Sequence, residues 1–158
     1  MPVPSTISDL STTASLNSPA GTDPISNTLD DYLRATQAIL KSQFAQGSAI
    51  TVSGATITIP ETGSSFTVSA ATSQTVTGLS SNFSGRTVAL QFQDANINLT
   101  NSSSLILPNA TNYTSSANDV LVFVSKGSGN WQCVSGKPLA GTIPVLTHGG
   151  TTTTVKIY

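Results

Sequence analysis

Between Gly85 and Gly136 the chain concentrates its strand-forming residues, and that stretch limits what the whole can become. Val88, Leu90 and Phe92 alternate with Ala89, Gln91 and Gln93, which at period two sends the apolar set to one face and the small or polar set to the other. Ile97 and Leu99 repeat the alternation, and a short apolar run from Ser104 to Leu107 stops at Pro108. From Val120 through Val122 to Val124 every position is apolar. Such a run needs cover on both faces, and a unit of about fifty residues has too little surface to cover both with its own chain. A second copy of the chain is the simplest cover.

The stretch closes on Trp131 and Cys133, which share a strand face behind the turn signal Lys126-Gly127-Ser128-Gly129. A lone aromatic at strand period is expected to cap the core. The other reading is an exposed ring that stacks on a sugar, with Tyr113 and the Asn-rich loop 96–118 beside it.

These residues also carry a resemblance. The strand from Gly85 to Phe92, the Asn/Thr/Ser-rich segment with Leu105-Ile106-Leu107-Pro108, the step Ala117-Asn118-Asp119-Val120 and the ending from Gly127 to Ser135 together resemble a β module of fibre and tail proteins of tailed bacteriophages. The likeness covers roughly residues 80–136. It implies a homotrimer in the virion, joined to other virion proteins such as a tail adaptor, collar or capsid protein, with the tail favoured. A receptor module that binds host surface polysaccharide, or a head fibre or capsid decoration protein, is the alternative.

Composition agrees with a fibrous β assembly. Charged residues are 8% of the chain, against about 25% in ordinary domains, and 24 Ser and 24 Thr supply the polar surface instead. Thr, Val and Ile favour strands, while Ser, Asn and Gly favour turns. A net charge of −1 with scattered basic residues offers no footprint for nucleic acid. No run approaches the roughly 20 apolar residues of a membrane span.

Residues 1–26 hold four prolines among Ser and Thr, with isolated apolar residues at Val3, Ile7, Leu10, Leu16 and Ile25. They cannot build a core. They are read as an extended virion-docking arm, similar to phage-fibre leaders in the run Ile7 to Ala14, in preference to a disordered tail. A helix is expected over 27–46, capped by Ser26 or Asn27, with Asp30 and Asp31 in its first turn and an end before Gly47. Its apolar stripe, Leu29, Leu33, Thr36, Leu40 and Phe44, is narrow, widened slightly by Tyr32 and Ile39, and a helix this short needs packing. Copies bundled about an axis, as a neck, would supply it.

From 47 to 136 short strands at regular spacing predict one β domain, with Gly54 a hairpin or corner. The fold class is therefore mainly β, in the order arm, neck helix and β domain, followed by a Thr/Gly-rich tail over 137–158. No nucleophile with a base, facing carboxylate pair, phosphate loop or metal set is visible. Adjacent Asp30 and Asp31 diverge by about 100° on a helix, Cys133 is a lone cysteine, and His148 has no ligating neighbour. No catalytic residue, metal site or cofactor is expected.

Overall fold

The computed structural model describes residues 3–19 and 28–135. Ile25, the caps Ser26 and Asn27, His148 and the tail 137–158 lie outside the described residues.

The body is mainly β, with one α-helix among the described residues. Strands β1 (Ile50–Thr51), β2 (Thr56–Ile57), β3 (Ser65–Ser69), β4 (Gln74–Val76), β5 (Gly78–Leu79), β6 (Thr87–Phe92) and β7 (Ile97–Leu99) wind in a solenoid-like way. Successive windings pair in parallel: β1 with β3, β3 with β6, β2 with β5 and β4 with β7. Gly54 is therefore a corner, because β1 and β2 belong to different sheets.

Stacking in register builds the core. Ile50 lies on Val68 and Val68 on Phe92; Phe66 lies on Leu90, Ile57 on Leu79 and Val76 on Leu99. All of these side chains are buried, so each winding covers the apolar row of the next.

The chain then turns back. After β8 (Leu105–Ile106) and β9 (Tyr113–Thr114), β10 (Val120–Gly127) pairs antiparallel with β6, and β11 (Asn130–Ser135) forms a hairpin with β10. The six-stranded sheet runs β1-β3-β6-β10-β11-β8. The hairpin turns where Gly127, Ser128 and Gly129 all have positive φ, a backbone glycine adopts without a Cβ clash.

Polar loops are tied by amides and hydroxyls. The Asp94 carboxylate accepts from the Ala70 and Asn96 backbone amides, and the Asn96 side chain donates to the Ala70 carbonyl at 2.7 Å. Asn101 accepts from the Leu107 amide and Asn112 from the Asn101 amide. A chain rich in Asn and Ser thus satisfies its corners with few charges.

Helix α1 spans Leu29–Gln43, with Thr28 at its N-cap position, so it is shorter than the expected 27–46. Its end is set by the loop that follows the first winding. Gly63 donates to the Ser42 carbonyl at 2.8 Å and Ser64 to the Ala45 carbonyl at 3.0 Å. Gln46 already bridges to Ser65.

Residues 3–19 are not extended throughout. Ile7–Asp9 and Ala14–Leu16 are single turns of 3-10 helix, because the Asp9 carboxylate gathers the Ser5 and Thr6 amides and Asn17 brackets Ser11.

Candidate functional site

The features that mark this chain are apolar surfaces. On α1, Tyr32 and Ile39 are buried, whereas Leu29, Leu33, Leu40 and Phe44 are exposed, Phe44 at 77%; Thr36 is exposed between them. The five-residue stripe is thus the outward face, whereas Tyr32 and Ile39, expected to widen it, are buried instead. Leu33 and Leu40 are seven apart, with Leu29 and Thr36 in the intervening register, which is the a/d spacing of a coiled-coil seam.

The expected β set divides in two. Val88, Leu90, Phe92 and Trp131 are fully buried. Val122 and Val124 are half-buried and Val120 is exposed, all on the outward side of β10, while Leu121 and Phe123 point into the core. One face of the run is therefore covered by its own chain and the other is open.

The two surfaces meet. The end of α1 and the start of β6 border a hollow of about 520 Å³ lined by Ile7, Phe44, Phe83, Arg86 and Val122, among others. Ile7 of the N-terminal segment reaches it, and Ser8 Oγ donates to Glu61 nearby. Leu10 is half-buried, while Val3 and Leu16 are exposed.

Arg86 stands in the wall of the hollow, and no sequence motif marks it. It is 4% exposed, and its Nη2 donates to the carbonyls of Pro60 and Gly63. Its Nη1 is buried without a hydrogen-bond partner among the described residues. Burial lowers its pKa from the usual value, opposed by the charge of Glu61. A lone arginine after a turn glycine has no pattern to announce it, since both carbonyls lie more than twenty residues upstream.

The glycan reading of Trp131 is corrected by its burial. The ring has no exposed face, and its Nε1 donates to the Ser80 carbonyl at 2.9 Å. Tyr113 packs against Phe92 with ring centroids 6.0 Å apart, and its hydroxyl donates to Asp119. Burial, then the bond to Asp119, raises its pKa. Asn96, Asn101 and Asn112 of the neighbouring loop are engaged internally.

Asp30 and Asp31 both pair with Arg34 on the surface of α1. Cys133 is a buried free thiol, and burial raises its pKa. Among the described residues no group of three or more His, Cys, Asp or Glu is placed to hold a metal ion, and no helix is long and apolar enough to cross a membrane. Comparison with family models, curated proteins and solved structures found no match.

Proposed function

We propose that this chain is a structural protein of a tailed-phage particle, a homotrimeric short fibre or fibre anchor on the tail. It joins the virion through its N-terminal segment and carries its β domain outward. The observation that supports this reading best is the exposed stripe of α1. A heptad-spaced row of leucines left open to water is costly for a lone helix, and parallel copies bury it at once.

The N-terminal segment fits attachment. Val3 and Leu16 stay exposed on a segment held by local turns, so they are free to enter pockets on another virion protein.

The test is Leu33→Asp with Leu40→Asp in the full chain, followed by sedimentation. The variant should lose its trimeric mass while the β domain melts almost as before; an unchanged trimer would overturn the axial bundle. Removal of residues 1–26 should leave a folded oligomer that no longer joins particles, and normal incorporation would overturn the docking role.

A further inference from the structure

A helix of 15 residues with Thr36 in its seam is a weak clasp, because helices of that length are marginal. A stable trimer needs a second contact, and the open face of the large sheet has the chemistry for it. Along β10 the outward side chains are Val120, Val122 and Val124; Gln91 and Ala89 of β6 stand opposite Val120 and Val122. Beyond them on β11 is Val134. Val120 is 49% exposed and Val134 56%.

The outward positions of β3, β6, β10 and β11 include one ionisable residue, Lys126, near the hairpin turn. The rest are valine, alanine, hydroxyl or amide. This limits what can cover the face. A foreign surface of ordinary composition has about a quarter to a third charged residues, and buried charges need counter-charges that this face does not have. The matching uncharged surface is the chain's own, with 8% charged residues overall. At its margin the face also runs into the helix stripe, through the hollow shared by Val122, Phe83 and Phe44. The a/d spacing of that stripe suits a partner helix of the same spacing, which a second copy supplies.

We infer that the outward face of β6, β10 and β11, with Phe44 and Phe83 at its border, is a second self-association surface covered by another copy of this chain. The inference rests on the trimer reading proposed above. Helix seam and sheet face then engage together, so each raises the effective concentration of the other.

The experiment compares full-length wild type, Val120→Lys with Val134→Lys, and Leu33→Asp with Leu40→Asp by sedimentation across a dilution series. Both valines are exposed, so the lysines are tolerated by the fold; the blue-shifted emission expected of the buried Trp131 verifies this. The lysine pair should weaken self-association by roughly tenfold or more, because two charges would be buried against a surface that offers them no counter-charge. If it leaves the association unchanged while the aspartate pair dissociates the trimer, the sheet face is not an interface and the helix reading stands. If wild type is monomeric throughout, both fall, and another part of the chain or a foreign protein becomes the cover. Should the lysine pair unfold the chain, Val120→Thr with Val134→Thr replaces it, since threonine keeps the strand shape and removes only apolar contact; the same shift, in smaller degree, is expected, and none would overturn the inference.

Discussion

The Gly63 carbonyl accepts a hydrogen bond from the Arg86 guanidinium at 2.9 Å, while the Gly63 amide donates to Ser42 at the end of α1. One loop residue thus links the buried arginine of β6's approach to the helix. Ser64 adds its amide to Ala45, and the Gln43 side chain donates to the Glu61 carbonyl at 3.1 Å. The helix is held to the β body through a loop that Arg86 pins from beneath.

Arg86→Met should release that loop. Charge-assisted hydrogen bonds contribute about 1.5–3 kcal/mol each, and the loss is offset by removal of the unsatisfied Nη1; a net destabilisation of about 2 kcal/mol is expected. Amide exchange should rise at Gly63 and Ser64 well before it rises at Leu90. Equal protection in variant and wild type would contradict the pinning role.

Gly47 and Gly54 should respond unequally to alanine. A Cβ on Gly47 would fall 2.0 Å from Cε1 of Phe66, a ring with no solvent exposure. Overpacking of that kind costs about 1–3 kcal/mol or more. At Gly54 nothing lies within 4 Å, and alanine there should leave stability within about 1 kcal/mol of wild type. Thermal melts that reverse the order would contradict the packing described.

Trp131→Phe should lower stability by about 1–3 kcal/mol, because the Ser80 carbonyl loses its donor, and Trp131→Ala by about 3–5 kcal/mol. Denaturant titration measures both. A Trp131→Phe variant with wild-type stability would show that the indole bond to Ser80 contributes nothing.

The turn at Ser5 to Asp9 should loosen in acid. Backbone hydrogen bonds from Ser5 and Thr6 hold the Asp9 carboxyl below its usual value. A depressed carboxyl stabilises the turn above the unfolded value of about 3.9, and the contribution fades as pH falls through the folded value. The Ser5 and Thr6 amide resonances should move with Asp9 protonation while β-domain resonances stay in place. Titration of Asp9 at the ordinary value would contradict the capping.

The inward rows of the sheet were legible because period two decides which face a side chain takes: Val88, Leu90 and Phe92 follow from spacing alone. On α1 spacing grouped Tyr32 and Ile39 with the stripe, yet these two are buried while Leu29, Leu33, Leu40 and Phe44 are exposed. Partners were not legible. Nothing local says that Phe66 stacks on Leu90, or that Trp131 reaches Ser80 across 51 positions. The apolar run Val120 to Val124 implied cover on two faces without saying which side its own core would take. Asn-rich loops looked like binding surface because composition does not reveal where an amide points. Arg86 left no trace, since a charged residue beside glycine reads as an exposed turn.

Self-association through the outward stripe of α1 sets the solution mass of the full-length chain, which sedimentation equilibrium measures. A trimeric mass is expected. A monomer at every concentration, with Leu33 and Leu40 still exposed to solvent, would contradict it.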